Sequence, residues 1–455
     1  MKTVKFGGSS LSDAVQIRKV CDIVLSDPER RLVVVSAPGK DKNNPVKVTD
    51  MLIEAALAAL DTGPDEAREN MGRIAARFSS IASDLGVPEE GGRIEANLFA
   101  LLDGEKTDGM RFLDKLKAAG EDNCARLVAA YLVSLGHNAV YANPGEYGMI
   151  LSDEFGNATV LEKSFSLLKD NLAKTDGIVI FPGFFGRTEA GEIATFPRGG
   201  SDITGAILAA AVNADVYENF TDVEYVYAIH PKLVKNPKPI EIVTYREMRE
   251  LSYAGFNVYQ EEALLPVYRA GIPVNIRSAV NPSCPGTVIV ARREDGDAGE
   301  RIAGIASDSG FTSIYVTKYL MNREIGFGRR LLSIIEDEGI SYEHTPTGID
   351  DLTVILRDSL LTNGKLDRII ERIYTELAPD DVEVVHDLSL IVVVGEGMKH
   401  GIGIAAAATT ALSKAGISIS MISQGSSEVS MIFAVERDSA DDGVRALYSV
   451  FFEEK

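Results

Sequence analysis

The chain has 455 residues, too many for a single core, so two or three domains are expected. Its 46 Lys and Arg against 67 Asp and Glu leave a net charge of −21, which disfavours nucleic acid or an anionic membrane as the main partner but leaves room for a local basic pocket. Three widely spaced cysteines, Cys21, Cys124 and Cys284, offer neither a disulfide framework nor a C-x-x-C pair, and no apolar run is long enough to span a membrane, so a reducing, cytoplasmic setting is expected.

In chain order, residues 3–6 read as a strand and 14–25 as a helix. Between them stand Gly7-Gly8-Ser9-Ser10, with Lys5 just before. The lysine precedes the glycines, and neither a P-loop nor a G-x-G-x-x-G pattern is present. The stretch is either a tight turn with a solvated lysine or a nest of N–H donors near a helix start, suited to a phosphate chain. Residues 31–35 are a continuous apolar run followed by Ser36-Ala37-Pro38-Gly39, as in a buried parallel strand. Residues 48–60 read as helix, and 64–135 as mostly helical and acidic. Gly120-Glu121 there reads as the approach to a helix, where a glutamate either complements the dipole or meets a ligand. Residues 178–181 form another buried strand, ending in Pro182-Gly183-Phe184-Phe185-Gly186.

Phe196-Pro197-Arg198-Gly199-Gly200-Ser201-Asp202 then runs into a helix over 203–212. Arg198 has the planar fork that clamps a carboxylate, and Asp202 either caps the helix or orients Lys5. Phe220-Thr221-Asp222-Val223, with Tyr227 and Pro231-Lys232 beyond, is an Asx-type loop or a contact for a nucleotide or its metal. Strands alternating with helices predict an α/β fold with a parallel, helix-covered sheet. Ligands in such sheets sit at the carboxyl ends of strands, where all the glycine-rich turns fall.

Around residues 292–304 the text becomes charged and glycine-rich, which marks a linker. Beyond it lies a repeat. Gly339-Ile340-Ser341 recurs as Gly416-Ile417-Ser418, 77 positions later (339 to 416), and 313–316, 325–326 and 353–356 find counterparts in the same register at 390–393, 402–403 and 430–433. Each copy reads strand, helix, strand, strand, helix. The first continues into a fourth strand over 382–385, and the second lacks one, which residues 302–306 would supply if the copies interlock. The expected domains are 1–291, a linker over 292–303, and two α+β modules over 304–386 and 387–455, the second completed by a strand at 301–307.

Two anion cradles, a lysine, an arginine and acidic partners on α/β turns point to phosphoryl transfer onto a small carboxylated substrate, chemistry in which a protein mostly positions groups and neutralises charge. K-F-G-G-S-S (5–10), K-V-T-D (47–50), G-E (120–121), P-G-F-F-G (182–186), R-G-G-S-D-I-T (198–204) and F-T-D-V (220–223) follow one another in the order of the aspartate kinases of the amino acid kinase superfamily. The chain resembles that family over nearly its whole length, and its repeat resembles the family's paired ACT modules. The resemblance implies a three-layer kinase domain that makes 4-phospho-L-aspartate and ADP from ATP and L-aspartate, the first step toward lysine, threonine and methionine.

By the same resemblance Lys5 stabilises the transferring phosphoryl group and Asp202 organises it. Gly7, Gly8 and Ser9 cradle phosphates, and Thr221, Asp222, Tyr227 and Lys232 meet the nucleotide. Arg198, with Gly199, Gly200 and Ser201, grips the substrate α-carboxylate. Glu121 meets its amino group and Thr49 seats it. Mg²⁺ arrives with ATP rather than in a protein site. The ACT modules imply feedback by lysine or, second, threonine at Met321, Phe327, Gly328, Tyr342 and Glu343, in a homodimer or dimer of dimers, with no nucleic acid or membrane partner. Two departures stand out: Lys232 where many members carry arginine, and Asn257 where many carry a second lysine. They leave open a catalytically weak amino-acid sensor, beside a kinase of the same superfamily for another carboxylate or for UMP.

Overall fold

The structure, a computed structural model, describes residues 1–61, 63–256, 263–293, 301–399 and 401–453. Asn257 and the heart of the linker, 294–300, lie outside the described residues. The chain divides into two compact units: 1–226, 241–246 and 257–294 form the first, and 227–240, 247–256 and 295–455 the second. Two short stretches from the expected 1–291 region thus group with the later residues.

Eight strands make the sheet of the first unit: β1 Lys2–Phe6, β2 Arg30–Val35, β3 Ala139–Tyr141, β4 Ile178–Pro182, β5 Val216–Thr221, β6 Ile242–Thr244, β7 Val274–Ser278 and β8 Thr287–Val290. Their order is β6-β8-β7-β5-β1-β2-β4-β3, parallel except for the β7–β8 pair. The central strands are apolar on both faces because helices cover both. Along β1 the side chains alternate: Val4 and Phe6 enter the main apolar cluster with helices α1 Ala14–Leu25, α2 Val48–Asp61, α3 Pro64–Leu85, α4 Pro88–Leu102 and α5 Gly109–Ser134. Lys5 points to the opposite face, where helix α6 Gly200–Val212 starts. All three cysteines are free and buried, and burial pushes the Cys21 thiol up to about 12, so Cys21 serves as a small hydrophobe.

At the carboxyl end of β5, Phe220 stacks on Phe6 with ring centroids 4.9 Å apart. Arg30 and Arg277 lie over the Phe220 ring at 5.4 and 5.5 Å. Both arginines are held by buried Glu218, at 2.6 and 2.8 Å. Burial pushes its carboxyl up, but the hydrogen bonds and charges of the two arginines outweigh that and hold it below the usual glutamate range. Charge-assisted bonds in a dry setting fix the strand end from which Thr221 and Asp222 emerge.

The second unit is built on a six-stranded antiparallel sheet, with β9 Gly304–Thr317, β10 Tyr342–His344, β11 Asp351–Arg357, β12 Asp381–Val394, β13 Met421–Ser423 and β14 Ser430–Glu436 in the order β10-β11-β9-β12-β14-β13. The two middle strands are continuous across both repeats. Gly304–Ser309 pairs with Val394–Ser389, and Ser313–Thr317 pairs with Val385–Asp381. Each repeat therefore takes its fourth strand from the other's long strand, and the modules interlock.

One feature of the repeat differs from expectation. Helices α7 Phe327–Asp337 and α8 Ile404–Lys414 start 77 positions apart (327 to 404), as the sequence register has it, and Gly326 and Gly403 before them share a left-handed backbone, φ +81° and +88°. The later strands are offset by 79 (351 to 430). The pairing agrees: Ile314 faces Val354 while Ile391 faces Phe433. The match of 353–356 with 430–433 is therefore two residues out of register. A slip of two leaves every side chain on its own face of the sheet, so the apolar pattern did not betray it.

Candidate active site

The site is built at the carboxyl ends of β1, β2, β4 and β5. Gly7 leaves β1 with its N–H donating to the Phe220 carbonyl at 3.3 Å, and residues Gly8–Leu11 form a single 3₁₀ turn. The helix proper begins only at Ala14, capped by Asp13. The glycines thus do not abut a helix terminus, and the donors come from the turn itself. Gly8 and Gly39 meet backbone to backbone: the Gly39 N–H donates to the Gly8 carbonyl at 2.8 Å, and a Cβ on Gly8 would lie 2.7 Å from the Ala37 carbonyl oxygen. Buried Arg77 of α3 ties this pair from below, donating to the carbonyls of Ser12 and Val46 at 3.1 Å each and to that of Gly39.

Lys5 lies under the turn. Its Nζ is 2.6 Å from Asp202 Oδ1, and the Asn219 Nδ2 donates to the same oxygen at 2.7 Å. Asp202 stands in the first turn of α6; the capping position is Gly199, with φ +83° and no side-chain bond. Of the two readings of Asp202, the lysine partner is the one the geometry supports. Gly200 is required for space, since a Cβ there would come within 2.6 Å of the Phe184 ring. Phe184 itself holds a left-handed backbone, φ +74°, with its N–H donating to Thr204 Oγ1 at 3.0 Å.

Gly120 and Glu121 fall inside α5, not at a helix start. A Cβ on Gly120 would meet Ala37 Cβ at 3.0 Å and Leu52 Cδ1 at 3.1 Å, so the glycine admits a close neighbour rather than ending an element. Glu121 is buried, 5% exposed, at the cavity wall. Ser36 donates to Ser201 at 3.0 Å, and Ser201 donates to Glu121 Oε1 at 2.8 Å. Glu121 Oε2 is buried with no hydrogen-bond partner. Burial pushes its carboxyl up to about 8, against the pull of the Ser201 hydrogen bond and the Lys5 charge. An orphaned carboxylate oxygen beside a cavity is a place for a cationic donor.

That cavity measures about 680 Å³ and is lined by Gly8, Ser9, Thr49, Glu121, Arg198, Gly199, Gly200, Ser201 and Asp222 among others. It therefore joins the K-F-G-G-S-S turn, the R-G-G-S-D turn and the G-E pair. Arg198 stands exposed on its wall. Thr221 donates to Asp222 at 3.1 Å beside it. Tyr227 and Lys232 belong to the second unit and are not among the residues that line this cavity. Sequence reasoning missed Ser36, Gly39, Lys117 and Asn219. Ser36 and Gly39 carried a signal as a turn after a buried strand, and Asn219 as a polar residue inside the buried stretch Val216–Thr221. Among the described residues no cluster of three His, Cys, Asp or Glu side chains is placed to hold a metal.

In the second unit, Met321 and Phe327 point into the core of the first module with Ile314, Leu331 and Leu356. Both are buried, and Gly328 follows Phe327 in the first turn of α7. Tyr342 is exposed, while Glu343 is taken up by Arg357 at 3.1 Å and by the Tyr253 hydroxyl.

The amino acid kinase family model matches residues 2–278, and an ACT domain model matches residues 391–451. Over 453 residues, 99% of both chains, the sequence is 51% identical to aspartokinase 3 of Bacillus subtilis. The crystal structure of Clostridium acetobutylicum aspartate kinase superposes with a TM-score of 0.85 at 36% identity, covering 99% of this chain and 100% of that one. Escherichia coli aspartokinase III in complex with aspartate and ADP superposes with a TM-score of 0.78 at 27% identity, over 99% and 100% of the two chains. The same enzyme in complex with lysine and aspartate gives 0.77 at 26%, over 99% of each. With the site's turns, its orphaned carboxylate and its interlocked modules already in place, these likenesses put the chain in the amino acid kinase family, among the aspartokinases.

Proposed function

We propose that the chain transfers the γ-phosphoryl group of ATP to the side-chain carboxylate of L-aspartate, giving 4-phospho-L-aspartate and ADP, and that an end-product amino acid restrains it through the ACT modules. The observation that carries the reading is the unpartnered Glu121 Oε2, bonded through Ser201 to the turn that bears Arg198. An ammonium and a carboxylate on one carbon match that pair. Arg198 takes the α-carboxylate, with Gly199, Gly200 and Ser201 beside it, and Thr49 seats the substrate from α2.

The acceptor carboxylate has an ordinary pKa near 4 and is already ionised at neutral pH. No base is needed, which suits a site whose Asp202 is bound to Lys5. What the reaction needs is alignment and charge neutralisation. Lys5, held by Asp202, which Asn219 fixes in turn, meets the transferring group. The turn of Gly7, Gly8 and Ser9 cradles the phosphates, with the N–H groups of Gly8 and Ser9 as donors because that of Gly7 is bound to the Phe220 carbonyl, and Thr221, Asp222, Tyr227 and Lys232 meet the nucleotide. Mg²⁺ enters as the Mg·ATP substrate. Lysine is the favoured effector, in keeping with the lysine complex of the E. coli enzyme, and threonine the second. The ACT modules join two chains into a homodimer, or two dimers into a larger assembly.

The test is ADP release with L-aspartate, acetylglutamate, glutamate and UMP in turn, with acyl phosphate trapped by hydroxylamine. Turnover is expected with L-aspartate, and its absence overturns the reading. Lys5→Ala should lower turnover by roughly 10²- to 10³-fold or more while effector binding, followed calorimetrically, is unchanged. The variant should fold, because Asp202 keeps its bond from Asn219.

A further inference from the structure

The cavity wall carries a cation to which nothing above gives a role. Lys117 sits on α5 one turn before Glu121, so the two side chains emerge on one face about 6 Å apart along the helix axis. It lines the cavity and is 15% exposed. Its recorded partner is Asp114, a carboxylate with 0% exposure, at 3.3 Å. Asp114 is already served by closer donors: the N–H groups of Gly156 and Thr195 at 2.8 Å each and the Thr195 hydroxyl at 2.9 Å. Those bonds pin the strand that leads into Phe196-Pro197-Arg198. The ammonium is thus held only by the longest of the contacts to Asp114, little exposed, and on the same cavity wall as the arginine turn.

We propose that Lys117 is a second cation of the substrate's α-carboxylate subsite, completing with Arg198 a two-sided grip and so contributing to substrate specificity. This rests on the aspartate reading above. The choice of carboxylate follows from the order of contacts. Lys5 is bonded to Asp202, the next residue Ser201 is bonded to Glu121, and Lys117 lies one turn further along α5. The phosphoryl end of the site is therefore at Lys5, the ammonium partner in the middle, and Lys117 at the far end. The α-carboxylate, on the same carbon as the ammonium and pointing away from the reacting side chain, lies there.

The experiment is steady-state kinetics of the full-length Lys117→Gln and Lys117→Arg variants. Glutamine keeps a polar amide on the same face but is one atom shorter and carries no charge. A charge-assisted contact of this kind predicts a KM for L-aspartate raised about 10- to 50-fold in Lys117→Gln, with kcat and the KM for ATP within about two-fold of wild type, and Lys117→Arg restored to within a few-fold. An unchanged KM for aspartate, or an equal loss in the KM for ATP, overturns the proposal and reduces Lys117 to a counter-ion for Asp114. L-Aspartate α-amide, which lacks the negative charge, adds a readout that a structural role would not move. Wild type and Lys117→Gln should use it equally well or equally poorly, and a loss as large as that for L-aspartate also overturns the grip. Failure of wild type to use L-aspartate at all would instead remove the substrate reading and is scored separately.

Discussion

Glu121 shows how one buried atom sets a pH dependence. Its folded-state pKa is raised from 4.5 to about 8. Below pH 4.5 folded and unfolded chains both carry the proton. Between 4.5 and about 8 the unfolded chain has lost it and the ligand-free fold has kept it, so stability falls as pH rises and levels off above 8. Glu121→Gln should flatten that slope, by at most a few kcal/mol across the window, in thermal melts at stepped pH. Binding runs the other way. An incoming ammonium needs the carboxylate, so the KM for aspartate should fall as pH climbs from 6.5 to 8 in wild type and lose that trend in Glu121→Gln. A wild-type KM flat over this range would deny Glu121 contact with the amino group. Little of this was legible in the sequence. Gly120-Glu121 marked a place, but the desolvation comes from α5, Gly183 and Ser201 meeting in space, where a Cβ on Gly183 would lie 2.7 Å from Oε2.

Among elements, the turns read more easily than the helices between them. A strand followed by paired glycines is a local signal, and the expected strands 3–6, 31–35 and 178–181 each lie within β1, β2 and β4. Gly120 misled because glycine inside a helix looks like punctuation when its reason, the approach of Ala37 and Leu52, lies about 70 residues or more away in the chain. Gly39 is the sharper case. A Cβ there would lie 2.5 Å from the Gly8 carbonyl carbon and 2.7 Å from the Ser9 nitrogen, all backbone. Neither side can yield without moving the phosphate turn. Gly39→Ala is expected to raise the KM for ATP by tenfold or more and to cost about 1–3 kcal/mol of stability in chemical denaturation, with the KM for aspartate affected less. Equal KM values for ATP in the two proteins would mean that the turn does not hold phosphate.

For the molecule as a whole, the repeat was visible and its mechanics only partly so. Copies at one offset announced two modules, while the two-residue insertion hid behind the period of the strand. The shared strands β9 and β12 predict that the modules lose their structure together. Ile314, fully buried, faces Val354 on one side and Val384 on the other. Ile314→Ala should cost about 2–5 kcal/mol. Hydrogen exchange should then speed up not only in its own module but also in β14, which touches β12 alone of the two long strands. Unaltered protection of β14 would show that the halves melt independently.

The joint between Ala228 and β9 has a practical side. The Ile305 N–H donates to the Ala228 carbonyl at 2.7 Å, and Lys238 donates through its N–H to the Tyr448 hydroxyl at 2.8 Å. A stretch that precedes the linker in the chain is thus sewn into the sheet that follows it. Anyone grafting this regulatory half onto another enzyme would find that a cut at residues 292–303 severs the peptide in the natural place and the protein in the wrong one. The transplant would have to bring 227–240 along, or leave the edge of β9 unclothed.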